Sequence, residues 1–178
     1  MKTFIILGMH RSATSLVAKA LNNEIHMGAN LMPPKLDNPE GFFENMEFVK
    51  MNMKILRLAG GSWDNPPPEK KIISIGISLS DEIIDLIQQT SGNGQLWGWK
   101  DPRTSLTIRA YHPHLINPHY ITCYRSPDEI AKSLQKRNGF SIEKGLALTW
   151  EYNRRIASFI SEFVENCGPS PDEQLFGT

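Results

Sequence analysis

The residues with the clearest chemistry lie near the start of the chain, where positions 8–15 read Gly-Met-His-Arg-Ser-Ala-Thr-Ser. An apolar run at 3–7 predicts a strand before them, and the apolar spacing after them predicts a helix over 14–22. A strand, a tight loop and a helix start together direct backbone N–H groups and the positive end of the helix dipole at an anion. Arg11 adds a fixed positive charge, and three hydroxyl side chains add donors. The segment therefore predicts a cradle for a phosphate or sulfate group.

The same segment departs at two positions from the nucleotide-binding loop G-x-x-x-x-G-K-[ST]. Thr14 stands in the place of the lysine, and Ala13 in that of the second glycine. Nucleoside triphosphatases need that lysine on the β- and γ-phosphates. The positive charge lies within the loop instead, at Arg11, which favours an anion held without a metal ion. The alternative interpretation is an ordinary strand–helix turn that contains an arginine by chance.

A second basic cluster follows the strand predicted over 119–124. Arg125 stands at the carboxyl end of that strand, where ligands collect in open α/β sheets. Ser126 is the expected N-cap of a helix that runs to Arg137, because Pro and Glu follow it at the favoured positions. Ser133 and Arg137 are four residues apart and share one face of that helix. Two guanidinium groups and a hydroxyl can therefore converge on a phosphate, although a solvated basic helix face is the alternative.

Lys100 and Glu44 are candidates for the reacting centre. Lys100 follows a strand predicted over 96–99 and precedes Asp-Pro, which ends the strand. A lysine there offers a compact charge to a leaving oxygen. Glu44 comes after two phenylalanines at the start of a helix predicted over 45–58, and burial beside them would raise its pKa and make it a general base. The alternatives are an exposed strand-end lysine and a glutamate favoured by the helix dipole.

The composition fits one domain of ordinary size. The chain has 178 residues, 19 basic and 19 acidic, with a formal net charge of zero, which argues against general binding to nucleic acid or to an anionic membrane surface. Its two cysteines form no disulfide framework, and no stretch reads as a signal peptide or a membrane span. We therefore expect a cytoplasmic protein with one domain over residues 1–166 and a disordered tail over 167–178.

Strands that alternate with helices predict an α/β fold with a parallel sheet. Ser80 is the expected N-cap of one further helix, which runs to residue 89, since acidic residues fill its first turn. The other expected elements are loops over 28–41 and 60–70, a turn over 91–94, a short helix over 104–111 and a long helix over 142–164.

Taken together, these segments resemble the sulfotransferases that use 3′-phosphoadenosine 5′-phosphosulfate (PAPS), and most closely the bacterial and phage branch with a Gly-Met-His-Arg-Ser-Gly-Thr-Ser opening. The similarity extends from residue 4 to about residue 152. It implies a three-layer α/β/α sandwich with a central parallel sheet, in the sulfotransferase form of the P-loop NTPase-like fold, and PAPS as the donor, with no metal. The implied donor contacts are Arg11, Ser12, Ala13, Thr14 and Ser15 for the 5′-phosphosulfate, and Arg125, Ser133 and Arg137 for the 3′-phosphate.

The resemblance also implies an activity, the in-line transfer of a sulfuryl group from PAPS to a hydroxyl or amine of a small-molecule or glycan acceptor. Lys100 would steady the sulfuryl group and the leaving oxygen, and Glu44 would deprotonate the acceptor. Family members usually continue into a further strand and a basic segment, and they carry glycine where this chain has Ala13. A catalytically impaired nucleotide-binding protein is therefore one alternative, and a P-loop small-molecule kinase is another. Neither the acceptor nor the oligomeric state can be read from the sequence.

Overall fold

A computed structural model describes residues 1–34, 41–91 and 96–167. Three strands form a parallel sheet in the order β2–β1–β3. β1 pairs with both neighbours, so that Ile5 lies opposite Trp99 on one side and Tyr120 on the other. All three strands therefore end at one edge of the sheet. The strands are β1 (Lys2–Gly8), β2 (Leu96–Lys100) and β3 (Pro118–Cys123).

Helices connect and cover these strands. None of those within the described ranges is long and apolar enough to cross a membrane. The helices are α1 (Thr14–Leu21), α2 (Met46–Leu58), α3 (Glu69–Ser78), α4 (Ser80–Ser91), α5 (Thr104–Tyr111), α6 (Pro127–Asn138) and α7 (Ile142–Cys167), with a 3₁₀ turn at His112–His114 after α5.

Apolar side chains fill both faces of the sheet, because successive strand residues point to opposite sides. Ile5 packs in the larger cluster, with side chains from α2 to α7. Ile6 packs in a smaller cluster on the other face, with Ala18 of α1. On the larger face the ring of Trp99 stacks on that of Phe48, with centroids 4.1 Å apart. This packing holds the end of β2, and Lys100 with it, against α2.

The predicted α/β class with a parallel sheet is confirmed, and helices on both faces are consistent with a three-layer sandwich. Most predicted elements are present with ends shifted by one to three residues, and the helix over 104–111 has the predicted bounds. The sequence reading missed α3, which begins at Glu69 inside the loop expected over 60–70. Residues 35–40 of one expected loop, 92–94 of the expected turn and the tail from 168 lie outside the described residues.

Two predicted helix caps differ from the structure. Ser80 is the first residue of α4 and not the N-cap before it, and only Leu79 separates it from the end of α3; its hydroxyl donates to Ile77 O at 2.6 Å. Ser126 does occupy the N-cap position of α6, with proline next, but its side chain makes no capping hydrogen bond. The predicted capping partner, Glu129, pairs with Arg125 instead, at 3.0 Å.

Candidate anion-binding site

The loop after β1 starts at Gly8, the last residue of the strand, where the backbone is closely packed. A Cβ on Gly8 would lie 2.7 Å from Ser12 Oγ and 2.9 Å from Cys123 O, so no larger residue fits. The Gly8 N–H donates to Ser105 Oγ at 2.9 Å, and the same hydroxyl donates to Gly8 O at 3.2 Å. Ser105 belongs to α5, so this helix anchors the start of the loop.

Left-handed backbone then shapes the loop. Arg11 has φ 70° and Ala13 has φ 66°, while Ser12 between them does not have a positive φ. Alternation of this kind occurs in anion-binding concavities of the backbone, although the Ser12 N–H here donates to Met9 O at 3.2 Å. Ala13 is also the N-cap residue of α1. A methyl group in left-handed backbone costs free energy that glycine avoids, so the alanine is a strained choice at this position.

A cavity of about 190 Å³ opens beside this loop at the carboxyl edge of the sheet. The separate basic segments of the sequence meet at this cavity. Its lining residues come from the loop, from the end of β2, from Arg125 after β3 and from α6. Cationic side chains dominate the lining, and Glu44 is its carboxylate. The lining residues are His10, Arg11, Ala13, Thr14, Ser15, Phe42, Glu44, Lys100, Pro102, Arg125 and Arg137.

Lys100 is buried at the floor of this cavity, with 1 % of its side chain exposed. Its ammonium group donates to Glu44 Oε1 at 2.7 Å, to Phe42 O at 3.0 Å and to Ser15 Oγ at 3.1 Å. The contact with Ser15 joins the end of β2 to the first turn of α1. The alternative of an exposed strand-end lysine is therefore wrong, and Lys100 lies beside the loop that is predicted to hold an anion.

Glu44 lies between two cations. Its Oε1 accepts from Lys100, and its Oε2 lies 3.4 Å from Arg103 Nη1. Burial raises the pKa of Glu44 above its usual value, and the two cations oppose that shift. The direction of the predicted shift is confirmed, but the carboxylate is already engaged in ion pairs that the sequence did not indicate.

Arg103 is in turn held in place by a buried network of hydrogen bonds. Its Nη1 donates to Asp101 Oδ1 at 2.7 Å, and Asp101 Oδ2 accepts from Asn52 Nδ2 at 2.8 Å. Asn52 Oδ1 then accepts from Thr107 Oγ1 at 2.6 Å and from Tyr111 OH at 2.9 Å. Asn52 and Asp101 have no exposed surface. The network ties α2 and α5 to the segment that carries Lys100 and Arg103.

The residues that are predicted to hold the 3′-phosphate lie next to the loop. Arg11 Nε donates to Ser133 Oγ at 2.8 Å, and Arg125 Nη1 donates to Arg11 O at 3.2 Å. Arg137 lies across the ring of Phe42, with its guanidinium carbon 6.0 Å from the ring centre. The guanidinium groups of Arg11, Arg125 and Arg137 therefore stand on one side of the molecule, as a shared ligand requires.

The structure does not bring every candidate into the cavity lining. Ser12 is buried, and its hydroxyl donates to Met9 O at 2.7 Å, so it serves the loop's own conformation. Ser133 is half-buried and reaches the cavity through Arg11. Arg125 does line the cavity, but its side chain is exposed and also pairs with Glu129 of α6.

Sequence reasoning gave no role to two residues at the site, His10 and Arg103. Both belong to segments that were singled out for their neighbours, His10 before Arg11 and Arg103 after Lys-Asp-Pro. His10 is buried, and its ring packs on Trp63 with centroids 4.5 Å apart. An arginine three positions after a buried strand-end lysine was a usable signal, whereas nothing in the sequence placed His10 against Trp63.

Comparison with protein-family models, with curated proteins and with solved structures finds no significant match to this chain. A functional assignment must therefore rest on the residues of the site itself.

Proposed function

We propose that the protein is a sulfotransferase that moves a sulfuryl group from PAPS to a hydroxyl or amine acceptor. One observation supports this most: a single cavity is lined by the loop after β1, by Lys100, by Arg125 and by Arg137. These are the segments that carry the sequence resemblance. The sulfotransferase form of the P-loop NTPase-like fold belongs to the same proposal, and the parallel sheet with its anion loop after the first strand is compatible with it.

The 5′ end of the donor would lie in the loop at the start of α1. The Arg11 side chain and the first amides of the helix would hold the phosphosulfate oxygens. Lys100 would meet the charge that develops on the leaving phosphate oxygen as the sulfur–oxygen bond breaks. Because Lys100 is already fixed by three hydrogen bonds, little reorganisation is needed to present its charge.

The 3′-phosphate of the donor would lie against Arg125, with Ser133 and Arg137 beside it on α6. Guanidinium groups suit this task, because they bind phosphate oxygens in pairs and keep their charge. The hydrogen bonds of Arg11 to Ser133 and of Arg125 to Arg11 join this subsite to the loop. One nucleotide with phosphates at both ends would therefore contact both groups.

A transfer assay tests the proposal. The purified protein is incubated with PAPS labelled in the sulfuryl group and with a panel of alcohols, phenols, amines and sugars, and labelled products are separated. We expect transfer to at least one acceptor, and its loss in Lys100→Met with the affinity for 3′-phosphoadenosine 5′-phosphate kept within a few-fold. Binding of that nucleotide without transfer to any acceptor would favour the impaired nucleotide-binding protein.

The kinase alternative requires different chemistry at the same loop. In such enzymes the lysine of the loop itself contacts the β- and γ-phosphates. Here Thr14 holds that place, and the buried ammonium group comes from the end of β2. Magnesium-dependent consumption of ATP by the purified protein, with no transfer from PAPS, would replace our proposal with the kinase.

A further inference from the structure

A groove of about 500 Å³ lies between α2 and the loop that follows it. Positions 50, 53, 54 and 57 line it, and this spacing places them on one face of the helix. The volume lies within the range of sites that bind small molecules. The groove is therefore large enough for a substrate of ordinary size. Its principal side chains are Lys50, Met53, Lys54, Arg57, Trp63 and Arg103.

The groove borders the anion site at two residues. Arg103 lines the groove and also a cavity of about 110 Å³ that shares Glu44 with the anion cavity. Arg103 Nη1 lies 3.4 Å from Glu44 Oε2, and Glu44 Oε1 accepts from Lys100 at 2.7 Å. Trp63 lines the groove as well, and its ring packs on that of His10. A molecule in the groove is therefore separated from the anion cavity by one layer of side chains.

The surface of the groove is mainly apolar. Met53 keeps 56 % of its surface exposed, although it is a large apolar residue. The side chain of Trp63 is only partly buried. An apolar ligand that covers these two side chains removes their surface from water, which is favourable. The groove therefore suits a ligand with an apolar body.

The charges around the groove are all positive, since no carboxylate is among the described residues that line it. Lys50 and Lys54 pair with Glu47 and Glu82, and these two carboxylates line a different groove. Arg57 is exposed and forms no ion pair with any other residue that the structure describes. A guanidinium group of this kind can bind a carboxylate through two N–H groups. The ligand that complements this groove is therefore both apolar and acidic.

We propose that the acceptor is an apolar alcohol that carries an acidic group, and that this groove holds it. The inference rests on the proposed function. The apolar body covers Met53 and Trp63, and the acidic group pairs with Arg57. The hydroxyl extends past Arg103 towards the sulfuryl group beside Lys100. A neutral alcohol of the same size keeps the apolar contacts and loses the ion pair, so the charge of the acceptor determines selectivity.

Transfer from PAPS to two matched acceptors tests the role of charge. The acceptors are 10-hydroxydecanoate and 10-hydroxydecanamide, which have the same length and differ in the charge of the end group. We expect kcat/KM to be about tenfold or more higher for the acid, because a charge-assisted hydrogen bond forms, and Arg57→Gln to remove most of this preference. The control Lys2→Gln removes an exposed positive charge at the start of β1, outside the groove, and should keep the preference.

Met53→Ser tests the apolar contact separately. It should lower kcat/KM for both acceptors by a similar factor, about threefold or more, because it removes apolar contact and leaves Arg57 in place. Since Met53 is exposed, we expect the variant to unfold at the temperature of the wild type. A loss confined to one of the two acceptors would contradict the assigned position of the apolar body.

Binding without turnover is measured from the indole N–H signals of nitrogen-15-labelled protein in the absence of PAPS. We expect 10-hydroxydecanoate to shift the Trp63 signal in a saturable way, and Arg57→Gln to lower the affinity about tenfold. Trp63→Phe assigns the signal. Trp97 is the internal reference, because its ring is buried.

The outcomes separate this inference from the proposed function. Equal kcat/KM for the acid and the amide, or a preference that Arg57→Gln leaves unchanged, would overturn the inference and leave the sulfotransferase proposal intact. Transfer to other acceptors but to neither of this pair would do the same. No transfer to any acceptor would overturn the proposed function and the acceptor role together, and the Trp63 signal then shows separately whether the groove binds the acid.

Discussion

Replacing Lys100 by methionine tests whether the buried pair with Glu44 holds the site together. Methionine is an unbranched side chain only one atom shorter than lysine, so the change mainly removes the charge and its three hydrogen bonds. Both partners are buried, with 1 % and 6 % of their side chains exposed. Removal of one partner from a buried pair typically costs about 3–5 kcal/mol. Glu44 retains Arg103 at 3.4 Å, so we expect the lower end, about 3 kcal/mol.

The pH dependence of this loss follows from Glu44. A carboxyl group whose pKa is raised by folding contributes stability below its unfolded pKa, and that contribution disappears as the pH rises through the folded pKa. The pKa of Glu44 is raised by burial, and Lys100 holds it down. Without Lys100 the pKa of Glu44 rises further, so Glu44 stays protonated over a wider range of pH in the folded variant. We therefore expect Lys100→Met to be less destabilised, relative to wild type, at pH 5.5 than at pH 8.

Urea unfolding at the two pH values measures both effects. The loss of about 3 kcal/mol corresponds to a fall in Tm of about 6–12 °C for a chain of this length. Glu44→Gln in the Lys100→Met background should recover part of the loss, because it removes the buried carboxylate charge that Lys100 no longer balances. Lys54→Met, which breaks the exposed pair with Glu82, is the control and should cost no more than about 1 kcal/mol. A loss under about 1 kcal/mol for Lys100→Met, or the same loss at both pH values, would refute the reasoning.

Two further substitutions test the ends of the anion site. Arg125→Ala should lower the affinity for 3′-phosphoadenosine 5′-phosphate about tenfold or more in calorimetry, because it removes charge-assisted hydrogen bonds. The affinity for adenosine 5′-phosphate should fall less than about threefold. Equal losses for the two nucleotides would show that Arg125 does not bind the 3′-phosphate. Ala13→Gly should raise the free energy of unfolding by about 0.5–1 kcal/mol, because glycine relieves left-handed backbone at the cost of a more flexible unfolded chain. The control Ala18→Gly changes a buried helix position and should lower the free energy of unfolding. A lower free energy of unfolding for Ala13→Gly, measured by denaturation, would contradict backbone strain at Ala13.

The sequence predicted those parts of the fold that depend on local pattern. Apolar runs gave the strands, and the residues around position 104 gave a helix with the observed bounds. It failed where tertiary contacts override propensity. α3 contains Gly76, a residue that weakens an isolated helix, yet a Cβ there would come within 2.5 Å of Ala110 Cβ on α5, so the glycine is what lets the two helices meet. The Ser80 hydroxyl donates to Ile77 O of α3, because only one residue separates α3 from α4.

Several residues of the candidate site were predictable from the sequence, but their pairings were not. Loop position and charge identified Arg11, Lys100 and Arg125, because parallel strands end at one sheet edge. The ion pair of Lys100 with Glu44 joins residues 56 positions apart, and no periodicity reports on such a contact. The positive φ of Arg11 is equally invisible in the sequence, since arginine rarely adopts it.

Calorimetric titration of the wild-type protein with two nucleotides tests the central claim most directly, that one nucleotide contacts both the loop after β1 and Arg125. The nucleotides are 3′-phosphoadenosine 5′-phosphate and adenosine 5′-phosphate, which differ only in the 3′-phosphate. We expect the affinity for 3′-phosphoadenosine 5′-phosphate to be at least about ten times that for adenosine 5′-phosphate, because the extra phosphate accepts charge-assisted hydrogen bonds from arginine. Equal affinities, or no binding of either, would contradict the claim.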